Sequence, residues 1–196
     1  LKIGIYGGTF NPVHLGHLIL AQFALAELPL DKVIFIPAAN PPHKKSARIA
    51  DPELRWQMLN LAVADNPAFE VSRIEFDRSG ISYTADTLEQ LRQSLRVTSK
   101  ELYLLIGADS LLDLHKWHTP QRIFELSQVA VFPRPAVNLE GVRPDFLAKI
   151  IRIKTPLIEI SSTLVRQNIK TGRSIRYLVP PAVQNFIEQN QLYLQD

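Results

Sequence analysis

Six short apolar runs, separated by longer amphipathic windows, constrain this chain more than any other feature. The runs fall at residues 2–6, 32–37, 69–76, 101–106, 129–132 and 157–160. They are rich in β-branched residues or leucine and show little polar alternation, which predicts strands buried on both faces. Between and after them, residues 15–28, 52–64, 84–95, 110–117, 119–126, 144–150, 163–170 and 181–190 have helical character. Strands separated by helices predict an α/β fold with a doubly wound, mostly parallel sheet and helices on both faces. At 196 residues and 46% hydrophobic, the chain suits a single domain over 1–196 with a substantial core, its C-terminal helical part (about 160–196) packing on that same core.

The residues just after each run are more informative than the runs themselves. Gly7-Gly8-Thr9-Phe10 comes after the first, and Asn40, His43 and Lys44 come after the second. The fourth leads into Gly107-Ala108-Asp109-Ser110, the fifth into Pro133-Arg134-Pro135, and the last into Ser161-Ser162-Thr163. Small, polar and basic residues therefore gather where strands end. In open α/β sheets ligands bind at that edge, where the strand order reverses.

The stretch Gly7-Gly8-Thr9-Phe10-Asn11-Pro12-Val13-His14-Leu15-Gly16-His17 joins the first strand to the first helix. His14 and His17, three residues apart, share one face of the first helical turn. Helix N-termini offer N–H donors and a partial positive charge to anions. Gly16 removes side-chain bulk between the two rings, a place for a phosphate to approach. Read alone, H-x-x-H also suits two capping histidines or a metal pair, but no third His, Cys or carboxylate stands at ligand spacing nearby, and no protein metal site is expected. The loop is neither G-x-x-x-x-G-K-[ST] nor G-x-G-x-x-G, which argues against P-loop kinases and ordinary dehydrogenases.

A second anion site is suggested by Ser161-Ser162-Thr163, hydroxyl residues suited to cap a helix. No Glu or Gln closes a capping box behind them, so first-turn amides are expected to be open to an anion. Arg166, one turn in, can add a forked, charge-assisted contact. Ser82-Tyr83-Thr84 opens another helix, and Trp117, flanked by His115 and His118, ends one. An aromatic plane beside helix amides could orient a flat ring, although Trp117 alone reads more often as core.

Charge and composition narrow the classes. Net charge is +3, with eight Lys/Arg between Arg143 and Arg176 against Asp145 and Glu159. Such a segment suits a polyanionic small molecule as well as nucleic acid. Phe146 is its only aromatic residue, so base stacking is poorly supported and a nucleic-acid partner is not expected. There is no cysteine, hence no disulfide framework. The first 30 residues show no secretory pattern, and no apolar stretch reaches the ~18 residues of a membrane span. A cytoplasmic protein with no membrane partner is the expectation, with oligomeric state, homo-oligomers included, left open.

Taken together, these motifs resemble the bacterial nicotinate-nucleotide adenylyltransferases, within the nucleotidyltransferase superfamily that carries a (T/H)-x-G-H signature. The matching residues are Gly7-Gly8-Thr9-Phe10, His14-Leu15-Gly16-His17, Pro41-Pro42-His43-Lys44, Ser82-Tyr83-Thr84, Gly107-Ala108-Asp109-Ser110, Trp117, Arg134-Pro135, and Ile160 to Thr163 with Arg166. They run in family order from the first strand to residue 166. The resemblance implies a Rossmann-like nucleotidyltransferase fold and transfer of AMP from ATP to nicotinate mononucleotide, giving nicotinate adenine dinucleotide and pyrophosphate in NAD biosynthesis.

It also implies roles. His14, His17, Lys44 and Arg166 would be catalytic. Gly7, Gly8, Thr9, Phe10, Gly16, Gly107, Asp109, Ser161, Ser162 and Thr163 would bind ATP. Asn40, Tyr83, Thr84, Trp117, His118 and Arg134 would bind the pyridine nucleotide, with Trp117 stacking on the ring and amides around Thr84 and His118 receiving its carboxylate. Mg²⁺ would ride on the ATP phosphates. One departure is Asn11, where an Asp is usual in this family and Asn is familiar in enzymes acting on nicotinamide mononucleotide. The resemblance therefore keeps the amide substrate, or both substrates, as the alternative. A non-catalytic nucleotide-binding module is the rival from another class.

Overall fold

A computed structural model describes residues 1–39, 49–78, 80–135 and 137–194. Its six strands are β1 (Ile3–Gly8), β2 (Lys32–Pro37), β3 (Phe69–Val71), β4 (Leu102–Gly107), β5 (Gln128–Phe132) and β6 (Ile150–Arg152). They form one sheet in the order β3-β2-β1-β4-β5-β6. Every pairing is parallel, with Ile3 opposite both Lys32 and Leu102. The order reverses between β1 and β4, so the switch point opens beside the carboxyl ends of those two strands.

Alternate strand residues feed two cores, one on each face. Ile3, Ile5, Ile34, Ile36, Leu102, Leu104 and Ile106 point to one side. Tyr6, Val33, Phe35, Tyr103, Leu105 and Phe132 point to the other. That is why the runs lack alternation in sequence: both faces are covered. The first core is closed by α3 (Thr84–Leu95), α4 (Ala108–Asp113), α5 (Pro120–Leu126) and the short α6 (Pro144–Leu147). The second is closed by α1 (Leu15–Glu27), α2 (Pro52–Val63), α7 (Ser162–Lys170) and α8 (Pro181–Gln189). Val165, Ile175, Val179, Val183, Ile187 and Tyr193 belong to this second core, so the C-terminal segment is built into it.

Local chemistry sets the helix starts. Asp51 caps α2, its carboxylate accepting from the Glu53 amide at 2.8 Å, with Pro52 at the first helical position. Ser161 caps α7 by accepting from the Leu164 amide at 3.1 Å. α3 ends at Arg96 in the left-handed conformation, with φ 54°.

Three expectations from the sequence are corrected. Residues 157–160 are not a strand, because the sheet edge beyond β5 is taken by β6, which pairs Ile150–Arg152 with β5. The expected helix over 144–150 stops at Leu147, freeing those residues to pair. The third strand covers only Phe69–Val71 of the expected 69–76, and the next segment turns towards the sheet's carboxyl edge.

Because Ile187 is only 2% exposed, replacing it with alanine should test whether α8 shares the cooperative core. Ile187→Ala is expected to lower stability by about 2–4 kcal/mol in urea unfolding, within a single transition. A separate early transition for the C-terminal helices would contradict this packing.

Candidate active site

The site is assembled at the switch point from two neighbouring parts. The first surrounds the turn between β1 and α1. His14 is buried and serves as N-cap of α1, with its ring stacked on that of His17 at 3.7 Å between centroids. The His14 backbone N–H donates to His17 Nδ1 at 3.2 Å. In the neutral His17 ring this places the proton on Nε2, so the tautomer is fixed by the backbone. Phe10 supports that ring from below, 4.9 Å away, and is itself packed against Tyr6, Phe35 and Gly8.

Burial first, and then the positive charge of Arg134, push the His14 pKa down from 6.5 to about 3. His14 is therefore neutral at physiological pH. Arg134 in turn lies 3.6 Å from Asp109, through Nε and Oδ1. Gly107 makes room for this pair: a Cβ there would run into the Asp109 carboxylate and lie 3.3 Å from Arg134 Nε.

α7 docks on the same turn. Arg166 Nη1 donates to the Asn11 carbonyl at 2.8 Å, and Ser162 Oγ donates to the Pro12 carbonyl at 2.8 Å. The extended segment 153–161 crosses from β6 to deliver Ser161, Ser162 and Thr163 beside His14. Its Ile158 would lie 3.1 Å from a Cβ placed on Gly16.

The second part is a cavity of about 310 Å³ lined by the β1 end (Gly7, Gly8, Thr9), the β2 end (Ile36, Ala38), the start of α3 and the α4–α5 connection. Ser82, Tyr83, Thr84, Trp117 and His118 all face it. Tyr83 and His118 stack at 4.3 Å with 28° between their planes. A flat ring can lie against an aromatic wall here, while the α3 N-terminus supplies N–H donors.

Between the two parts lies Arg55, fully buried on α2. Its guanidinium donates to the carbonyls of Thr9 (2.9 Å), Ala38 (2.8 Å), Ala39 (3.3 Å) and Ala50 (3.0 Å). The ends of β1 and β2 and the chain on both sides of residues 40–48 are thus tied to one cation. Burial lowers its pKa, with the Asp51 charge opposing, but arginine stays charged.

Several of the expected site residues have structural partners in the fold. Gly16 makes room for the His14 ring and Ile158: a Cβ would sit 3.0 Å from His14 Nδ1. The α1 amides are partly committed, since Leu15 N–H bonds the Leu178 carbonyl at 2.8 Å and His17 N–H bonds the His14 carbonyl at 3.0 Å. Ser161 Oγ and Ser162 Oγ likewise serve the fold. Phe10 turns its ring into the core. Arg134 sits with Asp109 and His14, not on the wall of the Trp117 cavity, because β5 lies next to β4. Gly7, Gly8 and Thr9 line the cavity that also holds Tyr83, Thr84 and Trp117. Asn40 and Lys44 lie outside the described residues.

Asn11 is 4% exposed and does not line the cavity. Its Oδ1 accepts from the Ala50 amide at 3.0 Å and from the Tyr193 hydroxyl at 2.9 Å. The side chain at position 11 is therefore held within the fold. Sequence reasoning missed Glu75, Thr87 and Lys116 in the cavity wall, and named Ser110 only as part of its motif. Lys116 adjoins Trp117 and could have been inferred from it; Glu75 and Arg55 carried no local signal.

Known proteins place this geometry. Residues 5–168 match the cytidylyltransferase-like family. A probable nicotinate-nucleotide adenylyltransferase from Desulfitobacterium hafniense (strain Y51) is 42% identical over 199 residues, covering 98% of this chain and 95% of the relative. Another with that name, from Roseiflexus sp. (strain RS-1), is 46% identical over 197 residues, covering 97% of each chain. The chain belongs to the nicotinate-nucleotide adenylyltransferase family. Its fold is also that of the Plasmodium falciparum nicotinic acid mononucleotide adenylyltransferase complexed with NaAD, with TM-score 0.79 at 17% identity, covering 98% of this chain and 97% of the other.

The His14 environment has a measurable consequence. Between pH 6.5 and 3 the unfolded chain binds a proton that folded His14 refuses, so this residue lowers stability as pH falls through that window. Nuclear magnetic resonance of the His14 ring should show no titration from pH 8 to 5, and His14→Gln should flatten the stability loss on acidification. A His14 midpoint near 6.5 would contradict the buried, neutral assignment.

Proposed function

We infer that this protein transfers the adenylyl group of ATP to nicotinate mononucleotide, forming nicotinate adenine dinucleotide and releasing pyrophosphate. The observation that carries this reading is a ring-sized aromatic cavity opening beside the His14–His17–Arg134–Arg166 cluster at one switch point. One part suits a pyridine and the other suits phosphates, as a reaction joining two nucleotides requires.

The chemistry needs little from the protein beyond placement. A phosphate oxygen of the mononucleotide attacks the α-phosphorus of ATP, and the bond from that phosphorus to the β-phosphate oxygen breaks. The nucleophile is already ionised near neutral pH, so no general base is required. Rate then comes from holding two anions in line and stabilising charge on the departing pyrophosphate. In this reading His17, with its tautomer set, donates from Nε2 to the phosphates. Neutral His14 holds the His17 ring in place and adds its own N–H. Arg166 and Lys44 contribute positive charge, and Asp109 meets ribose hydroxyls. Trp117 stacks on the pyridine, and amides at Thr84 and His118 receive its carboxylate.

Mg²⁺ belongs to the same reading as a companion of the triphosphate, whose charge it neutralises when bound. The residues fit that division. Imidazoles, guanidinium groups and hydroxyls face the phosphate side, and the Asp109 carboxylate is paired with Arg134. Among the described residues no group of three or more His, Cys, Asp or Glu could hold a metal. These side chains would hold the ion through the phosphates that carry it, in keeping with magnesium's retained water shell.

Among the described residues no helix is long and apolar enough to cross a membrane. A cytoplasmic setting fits substrates that are nucleotides of the cell interior, and neither nucleic acid nor membrane is needed as a partner.

Purified protein supplied with ATP, Mg²⁺ and nicotinate mononucleotide should release pyrophosphate, and His17→Ala should lower turnover by about 10²-fold or more, the scale of losing one preorganised donor. No pyrophosphate from the wild-type protein would sink the reading; unchanged turnover in the variant would remove His17 from the mechanism.

A further inference from the structure

Glu75 sits in the wall of the pyridine cavity, together with Ser82, Tyr83, Thr87, Lys116 and His118. It comes after β3, in a segment that turns back under α3. Arg78 Nη1 donates to Thr87 Oγ1 at 3.4 Å, and Thr87 Oγ1 donates to Glu75 Oε1 at 3.0 Å. Because the threonine hydroxyl accepts from arginine, its proton is directed at the carboxylate. The carboxyl group thus has a fixed place on the wall of a largely apolar chamber that also includes Ile5, Ile36, Leu88 and Leu104. Nearby, Ser82 Oγ is shut off from solvent with no hydrogen-bond partner among the described residues.

The nicotinate and nicotinamide mononucleotides share phosphate, ribose and ring, and differ in one substituent. The acid brings a second carboxylate into the chamber with Glu75. The amide brings no charge, and its NH₂ can donate to a carboxylate. Two carboxylates sharing a poorly solvated site oppose each other's ionisation.

We propose that Glu75 is a specificity-determining residue whose carboxyl group reads the charge on the pyridine substituent, holding back the acid nucleotide relative to the amide. The proposal rests on the adenylyl-transfer reading only for the identity of the ring-bearing ligand. Acid preference then arises against Glu75, from the α3 N-terminus and from the Lys116 ammonium and the His118 imidazole, which also line the cavity. Lys116 is itself paired with Asp113 at 2.7 Å, which tempers its share. Burial raises the Glu75 pKa, against the opposing pull of Thr87, Arg78 and the Ala39 backbone. A bound acid raises it further, so binding of the acid draws a proton from solvent onto Glu75, whereas binding of the amide does not.

The test is the ratio of affinities for the two mononucleotides, measured by calorimetry and, where turnover is seen, as kcat/KM. In Glu75→Gln at pH 8 the acid-to-amide ratio should rise about tenfold, the effect of one pKa unit of coupling. In the wild-type protein the same ratio should rise as pH falls from 8 towards 5.5. The substrate phosphate titrates in this range but is common to both ligands and cancels. A variant in which both affinities fall together with an unchanged ratio would show that Glu75 only braces α3, and would overturn the proposal, as would a lowered ratio. Should Glu75→Gln fail to fold, the pH series is repeated in His118→Gln, which removes the imidazole from the cavity wall, a flat ratio there being the contrary result. Affinities remain measurable without catalysis, so an absence of pyrophosphate would count against adenylyl transfer and an unchanged ratio against the role of Glu75.

Discussion

One buried cation holds the site together. Arg55 is 0% exposed, and its guanidinium is shared among the carbonyls of Thr9, Ala38, Ala39 and Ala50. Thr9, Ala38 and Ala39 follow the ends of β1 and β2, and Ala50 comes just before α2. Buried carbonyls without partners would each cost on the order of 1–3 kcal/mol. A planar group with five donors satisfies them at once and fixes their relative positions. Beside it, Asn11 joins three distant parts of the chain: its side chain meets Ala50 and Tyr193, and its carbonyl meets Arg166. The histidine turn, the entry to α2, α7 and the C-terminal segment therefore share one polar junction beneath the site.

On this base the sheet edge separates two kinds of electrostatics. Around His14 the charges of Arg134 and Arg166 are held by carboxylate and carbonyl partners, and the buried imidazole remains neutral. Such groups can donate to developing negative charge without having to reorganise first. The cavity beyond Gly7 and Gly8 is mostly apolar and aromatic, with a carboxyl group and hydroxyls at a few points. Both parts open at the β1–β4 reversal, where the sheet order brings the strand ends together and Arg55 ties those of β1 and β2.

Much of this is legible in the sequence because it is local. The G-G-T-F turn, the i, i+3 histidines, the Ser-Tyr-Thr helix start and the Ser161 cap each depend on residues within a few positions of one another. Five of the six strands are marked by apolar runs that the sheet buries on both faces. The features that stay hidden depend on partners far along the chain. β6 has only three residues and exists because β5 offers an edge. Arg55 reads as an ordinary helix residue until four distant carbonyls converge on it. Asn11 reads as a specificity residue, and its bond to Tyr193, 182 positions later, shows only in the fold. Gly16 reads as an opening for phosphate, and its closeness to Ile158 shows only in the fold.

If Arg55 positions the two nucleotide-binding parts against each other, the most direct measurement is the steady-state kinetics of Arg55→Lys. Lysine keeps the charge, but its compact ammonium cannot span the same four carbonyls. The expected result is a protein that still unfolds in one cooperative transition, with kcat lowered between about tenfold and 10²-fold, the scale of a small misplacement of reacting groups. A cooperatively folded Arg55→Lys protein with wild-type kcat and KM for both nucleotides would contradict that role.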